Sequence, residues 1–270
     1  MQKMTEDEIK QNSVMILKDI KRVCKELNLT YFLDSGSLLG AVRHNGFIPW
    51  DDDIDVSMPR PDYEVFIRKY NQYSLQQYRL KSIENTLSYP YPFAKVYDNT
   101  TIIYEHGRSY CNLGLSVDVF PIDAYPNSEG ERIRHWEKSV NTFVDYSSEE
   151  GAFFSNYSFN PRKIKHNIHI FFVRHGLFRN KAKKVIKNSK TINWDDAKFA
   201  GINVSMYYRN KPRYVDKDCF IPIEHVFEDD LFSIPQGYDI ILKTYYGEDY
   251  MTPPPENKRT STHGIDVYHR

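Results

Sequence analysis

Residues 50–58 read WDDDIDVSM, and they combine crowded acids with apolar residues at every second position. Ile54, Val56 and Met58 have the period of a buried strand. On such a strand Asp53 and Asp55 project to the same side, about 6.6 Å apart along the backbone, and can converge on one cation. Their oxygen ligands suit Mg²⁺ or Mn²⁺, which commonly bind phosphate oxygens beside carboxylates. The alternative, a solvated acidic turn, is disfavoured by the interleaved apolar residues.

A calcium-binding loop of the EF-hand type does not fit this segment. Asp51, Asp53 and Asp55 match the first three ligand positions of such a loop, which also needs Gly at its sixth position and Glu at its twelfth. Val56 and Asp62 stand there instead.

Two other segments carry polar residues suited to a phosphate site. Gly36 and Ser37 lie at a predicted strand-to-helix turn, where backbone N–H groups, a hydroxyl and the helix N-terminus can approach a phosphate. Asp118 is a lone carboxylate on a predicted interior strand, and a buried acid needs a partner or a metal. We therefore predict Asp118 as the third acid of the site. Asp123, beyond Pro121, is expected to cap a turn.

Hydrophobic periodicity predicts an α/β chain with a more helical C-terminal half. Predicted helices cover 5–27, a short segment ending at 42, 61–70, 129–146, 161–187 and 237–245. Predicted strands cover 29–33, 54–58, 78–83, 93–97, 100–104, 115–120, 221–227 and 231–234. We expect a catalytic core at 1–124 and a mainly helical portion at 125–270 that packs on it as one continuous globule.

Composition excludes several classes of protein. The 270 residues carry 36 Lys plus Arg against 36 Asp plus Glu and are 40% apolar, which is typical of a globular fold and not of disorder or coiled coil. The longest apolar run is too short to span a bilayer, and the acidic start does not resemble a secretory signal, so a cytoplasmic location is expected. Three separated cysteines, Cys24, Cys111 and Cys219, favour neither a disulfide framework nor a thiolate metal site.

The charge is unevenly distributed. Between Pro161 and Lys190 there are ten basic residues and no acidic one, whereas the rest of the chain is net negative. A general basic surface for nucleic acid is therefore not expected. The segment 162–187 also contains apolar residues, so it is either a peripheral contact with an anionic membrane face or a solvated basic helix.

The stretch from Asp34 to Asp55, SGSLLGAVRHNGFIPWDDDI between its two ends, resembles the signature of the LicD family, relatives of fukutin and fukutin-related protein. Further similarity lies at 117–123, VDVFPID, and in the tail from Tyr246 to His263. The resemblance implies a nucleotidyltransferase-like mixed sheet flanked by helices. It also implies transfer of phosphocholine from CDP-choline to a sugar hydroxyl of a teichoic acid or lipopolysaccharide precursor, with release of CMP.

By this resemblance Asp53 and Asp55 would hold Mg²⁺ or Mn²⁺, with two ions expected, and Asp118 would be the third catalytic carboxylate. Asp118 could ligate a second metal or act as a general base, and the sequence leaves both roles open.

Other residues are candidates for binding the donor. Arg43, Lys95 and Arg259 could clamp phosphate as charge develops on the departing CMP. His44 and His263 are candidates for proton transfer, and His263 also for substrate binding. A choline head group needs an aromatic cage, and Tyr89 and Tyr91 are the predicted wall, with core packing as the alternative.

Other functions share parts of this pattern. The polyol branch would use CDP-ribitol or CDP-glycerol as donor. A glycosyltransferase would use an Asp-x-Asp pair with a nucleotide-sugar but does not require the Gly36-Ser37 turn or Asp118. A choline- or glycan-binding module would keep only a decayed metal site.

Overall fold

The structure is a computed structural model and describes residues 1–87, 89–105, 112–154, 158, 160–204, 212–259 and 265–270. Its α-helices are α1 (Glu6–Leu27), α2 (Ser35–His44), α3 (Arg60–Tyr73), α4 (Glu129–Ser147), α5 (Glu150–Phe154), α6 (Ile164–Phe172), α7 (Phe178–Ser189) and α8 (Tyr238–Tyr246). Its strands are β1 (Phe32–Leu33), β2 (Asp55–Pro59), β3 (Tyr78–Lys81), β4 (Ala94–Asp98), β5 (Thr101–Glu105), β6 (Ser116–Tyr125), β7 (Phe199–Ile202), β8 (Val215–Asp216), β9 (Pro222–Phe227), β10 (Asp230–Pro235) and β11 (Ile265–His269).

Strand β6 is the centre of a seven-stranded mixed sheet. One edge of β6 pairs in parallel with β2, and the other edge pairs antiparallel, first with β4 and then with β7. β1 and β3 extend the sheet beyond β2 and β4, and β8 extends it beyond β7. Two small antiparallel sheets, β9 with β10 and β5 with β11, complete the described strands. The predicted mixed α/β class is confirmed.

Helix α1 follows the sequence pattern closely. Thr5 and Glu8 form a reciprocal capping box, and Asn28 in the left-handed region ends the helix. The apolar face of α1, including Ile16, Leu17 and Ile20, is fully buried in the core beside β4 and β6. Burial of such a stripe supplies most of the stability of a surface helix.

The prediction that β6 stops near Phe120 and that Asp123 caps a turn is wrong. The strand continues through Tyr125. Pro121 falls between the residues that pair with β4 and those that pair with β7. Because no antiparallel partner stands opposite it, its missing N–H removes no hydrogen bond from either antiparallel pairing. Asp123 is buried inside the strand. Arg60 of α3 donates to it through Nε (2.6 Å) and Nη2 (2.9 Å), which compensates the buried charge.

The predicted single helix at 161–187 is also interrupted. Between α6 and α7 the backbone leaves helical geometry at His175 and at Gly176, whose φ of +142° suits only glycine. Of these two described helices, α7 packs extensively against α4, whereas α6 does not. The sequence analysis also missed β7, β8 and β11, which are short strands without a clear two-residue period.

The boundary proposed at 124 stays a prediction. β6 runs across this position, and β7 and β8 from the C-terminal half join the same sheet. In the described part of the chain no helix has both the length and the apolar character required to cross a bilayer. Cys24 and Cys219 are buried free thiols, whereas Cys111 lies outside the described residues.

The Arg60–Asp123 pair provides a test of the observed β6. Asp123→Asn removes the negative charge and leaves the Arg60 guanidinium largely buried beside a neutral amide, which should lower the free energy of unfolding by about 3 kcal/mol. Urea unfolding of the two proteins measures this loss. Asp195→Asn, at an exposed carboxylate, is the matched control and should change stability by less than ~0.5 kcal/mol. Equal effects of the two changes would contradict the assigned burial.

Candidate active site

Three neighbouring strands bring Asp55, Asp118 and Lys95 into one row. In the register of the sheet, Asp55 of β2 pairs with Asp118 of β6, and Asp118 pairs with Lys95 of β4. Directly paired residues project to the same face of a sheet. All three side chains are partly exposed on this face, whereas Val56 and Val119, which directly follow the two acids, are completely buried. Residues 23 to 63 positions apart in sequence therefore line one surface.

The loop before β2 adds further acids. The carboxylates of Asp51, Asp52 and Asp53 each offer an oxygen within 4.8 Å of the others, and all three residues are half-buried. β2 begins only at Asp55, so Asp53 belongs to this loop and not to the predicted strand. Among the described residues, Asp51, Asp52 and Asp53 are thus the one group of three potential metal ligands whose ligand atoms lie this close together.

Electrostatic coupling joins this loop to the strand acids. Burial raises the pKa of Asp53 well above its ordinary value, and repulsion by Asp51 and Asp118 raises it further. Burial likewise raises the pKa of Asp55, assisted by Asp53 and Asp118. The predicted trio of Asp53, Asp55 and Asp118 therefore lies close enough for its charges to repel one another, although only Asp53 belongs to the 51–53 cluster. The negative potential of this region favours binding of a cation.

The N-terminus of α2 is attached directly to the start of β2. Asp34 caps the helix, its carboxylate accepting from the N–H of Ser35 (2.7 Å), and its own N–H donates to the carbonyl of Asp55 (3.0 Å). The Ser37 hydroxyl, predicted to contact phosphate, instead accepts from the N–H of Asp55 (2.9 Å). These bonds fix the helix dipole beside the acid cluster, where its positive end is favourable.

Gly36 lies where α2 meets the acidic loop. A Cβ at this position would stand 2.6 Å from Oδ2 of Asp51, closer than any real contact. The glycine therefore permits the close approach of the Asp51 carboxylate to the first turn of α2. This role differs from the predicted approach of a phosphate, although both depend on the absence of a side chain.

The donor set fits a divalent cation that prefers oxygen. Carboxylates crowd from the loop and from two strands, and burial together with their mutual repulsion raises the pKa of Asp53 and of Asp55. Mg²⁺ and Mn²⁺ are the ions whose coordination chemistry matches such a set. Asp51, Asp52, Asp53, Asp55 and Asp118 are the residues that could hold them.

Lys95 and aromatic rings form the next part of the surface. The Lys95 ammonium contacts the carboxylate of Asp118 and lies 5.3 Å from the ring centre of Tyr91 and 5.5 Å from that of Phe93. Tyr91 and Phe93 are partly exposed and 5.6 Å apart, and Phe93 packs on Phe120 at 4.5 Å. The face that holds Asp118 therefore continues into an aromatic wall that already contacts one cation.

Tyr89 does not form part of the exposed aromatic wall. Its side chain is fully buried and supports the ring of Tyr91 at 5.4 Å in an edge-to-face arrangement. The core-packing alternative thus describes Tyr89, whereas Tyr91 retains an accessible face. Phe93, just before β4, and Phe120, on β6, were missed because a phenylalanine in or beside a strand gives no signal apart from packing.

Arg43 and Arg259 converge although 216 positions separate them. Burial lowers the pKa of Arg43, and repulsion by Arg259 lowers it further. Arg43 donates to the Tyr250 carbonyl (2.9 Å) and to Nε2 of His44 (2.9 Å), while the Arg259 guanidinium lies 5.2 Å from the ring centre of Trp50. Trp50 directly precedes the acidic loop, so this cationic pair borders the acid cluster.

The remaining predicted residues have separate outcomes. His263 lies outside the described residues. His44 accepts from Arg43, and burial together with that arginine lowers its pKa, so it remains neutral near pH 7. Arg213, which the sequence analysis missed, lies close enough to favour the ionised form of buried Asp34. No local pattern singles it out, because its approach depends on β8.

Comparisons with known proteins identify the family of the chain. Residues 28–209 match the profile of a family described as the LicD/FKTN/FKRP nucleotidyltransferase domain. The lipopolysaccharide cholinephosphotransferase LicD of Haemophilus influenzae is 29% identical over 271 residues, which cover 99% of both chains. Uncharacterized proteins of Rickettsia typhi and Rickettsia prowazekii are 39% and 45% identical over 66 and 47 residues, covering 24% and 17% of this chain and 21% and 18% of their own. The matched profile includes Asp34 through Asp55 and Asp118.

Asp53→Asn should increase the stability of the metal-free protein and weaken its binding of a metal ion. Because burial and the neighbouring carboxylates both oppose the charge of Asp53, the neutral amide should raise the melting temperature of the protein in EDTA. It should also remove the increase in melting temperature that we expect Mg²⁺ to produce in the wild type. A carboxyl group with a raised pKa in the folded state opposes folding as pH rises above its ordinary value of 3.8. The advantage of the variant should therefore be larger at pH 8 than at pH 4. Thermal melts at both pH values measure it, and a variant that retains the full Mg²⁺ response would contradict the assignment.

Gly36→Ala tests the close approach of Asp51. The new methyl group must displace the Asp51 carboxylate, so the affinity for Mn²⁺ should fall roughly tenfold, about 1.4 kcal/mol, with little change in stability. Calorimetric titration measures the affinity. Gly130→Ala is the matched control, since its Cβ would have only an ordinary contact at 3.7 Å, with Arg134. Unaltered affinity in Gly36→Ala would remove Asp51 from the site.

Proposed function

The chain belongs to the LicD family, and from this premise we propose that it transfers phosphocholine from CDP-choline to a sugar hydroxyl of a lipopolysaccharide or teichoic acid precursor and releases CMP. Family membership makes the protein a transferase. The Haemophilus influenzae relative bears the name of a lipopolysaccharide cholinephosphotransferase, which supports choline and a lipopolysaccharide acceptor. The donor, the metal and the teichoic acid alternative belong to the proposal.

The observation that carries the proposal is the register of β2, β6 and β4. It places two carboxylates, Asp55 and Asp118, beside the ammonium of Lys95 and next to the exposed faces of Tyr91 and Phe93. The carboxylates suit the diphosphate end of the donor through a divalent cation. The aromatic faces suit a quaternary ammonium, which is held by cation–π attraction.

In the proposed reaction, the acceptor hydroxyl attacks the phosphorus that bears choline. The new P–O bond forms as the bond to the CMP phosphate breaks, and the bonding electron pair leaves with CMP. The hydroxyl proton passes to a base, for which Asp118 is the candidate. The Asp118 carboxylate contacts the Lys95 ammonium, which keeps it at the centre of this row whether it accepts the proton or ligates a metal.

Mg²⁺ or Mn²⁺, held by the acid cluster, would supply charge neutralisation for the diphosphate. Negative charge also develops on the CMP phosphate as it leaves, and Arg43 with Arg259 provides two positive charges beside the cluster. The planar guanidinium groups can each donate two hydrogen bonds to a phosphate.

Choline is favoured over a polyol by the aromatic wall. Ribitol or glycerol would require hydrogen-bonding groups around their hydroxyls, whereas Tyr91 and Phe93 present mainly ring faces. The Lys95 ammonium lies 5.3 and 5.5 Å from the centres of these rings, and this cation–π geometry supports a positively charged head group. The uncharged sugar of a donor such as UDP-glucose would gain no cation–π attraction from this surface.

Thermal shift with nucleotide donors tests the proposal without requiring the acceptor. CDP-choline with Mg²⁺ should stabilise the folded protein by about 2.7 kcal/mol at a concentration 100 times its dissociation constant. CDP-ribitol, CDP-glycerol and UDP-glucose at the same concentration should give smaller shifts. A larger shift with UDP-glucose would favour the glycosyltransferase alternative, and one with a CDP-polyol would identify the polyol branch. Equal absence of shift with all four donors would contradict a nucleotide-dependent transferase.

Tyr91→Leu tests recognition of the head group. Loss of one cation–π partner, worth about 1 kcal/mol, should weaken CDP-choline binding roughly fivefold and leave the binding of CMP unchanged. Tyr91→Phe keeps the ring and should bind CDP-choline as the wild type does. Titration calorimetry with both nucleotides measures these changes. An equal loss for CMP and CDP-choline would mean that Tyr91 contacts the nucleotide and not choline.

A further inference from the structure

The outward side of α6 exposes large apolar side chains in a continuous stripe. Ile164, Ile168, Phe171 and Phe172 are 58%, 50%, 49% and 60% exposed, and their spacing of i, i+4, i+7 and i+8 places them on one face of the helix. We refer to these four residues as the α6 outer face. The inward side of the same segment is anchored in the protein, since Ile170 is fully buried.

This arrangement is unusual for a helix on a protein surface. A surface helix normally carries polar groups opposite its buried stripe, whereas α6 is apolar on both sides. Two adjacent phenylalanines, with ring centres 5.8 Å apart, form the most exposed end of the stripe. Clustered apolar exposure of this kind marks a contact surface.

The charge around α6 identifies the type of partner. The segment 161–190 has ten basic residues and no acidic one. Some of these serve the fold: Lys181 pairs with Asp145 and Glu149, and Lys190 pairs with Glu64. Arg162, Lys163 and Lys165, by contrast, lie at or just before the start of α6 with exposed side chains.

We propose that the α6 outer face docks onto an anionic lipid surface, with the apolar side chains entering the acyl boundary and the basic residues at the start of α6 contacting the headgroups. An interface that combines apolar insertion with positive charge is typical of helices that lie on membranes. A second copy of the chain would bring the same basic residues into contact and would be repelled. This proposal does not depend on the transfer chemistry.

The structure also identifies which substitutions test this surface. Changing the lysines of α7 would be a poor test, because Lys181 holds Asp145 and Glu149 in the fold. The double variant Ile168→Ser and Phe172→Ser removes apolar area that the core does not use. The double variant Lys163→Gln and Lys165→Gln removes charge alone. Ile240→Ser, at a 55% exposed position of α8, is the matched apolar control.

The experiment is flotation of the full chain with two kinds of vesicle. One contains phosphatidylcholine alone, and the other also contains roughly 30% phosphatidylglycerol, whose anionic headgroups attract basic segments. The wild type and Ile240→Ser should bind the anionic vesicles alike and bind neutral vesicles at least tenfold more weakly. Each double variant should lose roughly tenfold in affinity for the anionic vesicles while keeping the wild-type circular dichroism spectrum and melting temperature.

Several results would overturn the proposal. Wild-type binding by the Ile168/Phe172 variant, or an equal loss in Ile240→Ser, would show that α6 is not the docking element. Equal binding to neutral and anionic vesicles would exclude the headgroup contact. A dimer in analytical ultracentrifugation that the Ile168/Phe172 variant abolishes, without vesicle binding, would assign the face to self-association instead.

Discussion

The parallel pairing of β2 with β6 is the constraint on which the site depends. Its register fixes Asp55 opposite Asp118, so two carboxylates share one face of the sheet whether or not their charges favour it. The buried valines beside them, Val56 and Val119, prevent slippage, because a shift by one residue would turn each valine towards solvent and each acid into the core. Hydrophobic burial therefore holds together charges that electrostatics alone would separate.

Several features limit the cost of this crowding. The N-terminus of α2 is hydrogen-bonded to the backbone of Asp55 and directs its dipole towards the acids. Lys95 contacts Asp118 from the opposite strand. Burial and the remaining excess of negative charge together raise the pKa of Asp53 and of Asp55. Crowded carboxylates of this kind destabilise the folded state, and proteins accept such local strain at functional positions when the surrounding core is well packed.

The sequence predicted the parts of the fold that depend on local patterns. α1 could be located from its capping box and apolar period, and Asp118 could be recognised as an acid on an interior strand. Features that depend on distant partners could not be read in this way. Arg60 is nothing more than a residue at the start of a helix until β6 brings Asp123 to it, and the strand beyond Pro121 exists because β7, from the other half of the chain, pairs with it. The approach of Arg259 to Arg43 likewise depends on contacts between distant parts of the chain, so neither residue's local sequence reveals it.

The arrangement of charge gives the site a direction. Acids occupy the ends of β2 and β6, whereas Arg43 and Arg259 lie beyond Trp50, and the aromatic wall begins at Lys95 on the other side of Asp118. A molecule with an aliphatic cation at one end and phosphates in its middle has one orientation in which the cation faces the aromatic wall and the phosphates face the acid cluster and the arginine pair. Since the acids and the cationic pair attract opposite partners, reversal would place like charges together. Under the proposed function, the strand register would therefore fix the orientation of the donor as well as the position of the carboxylates.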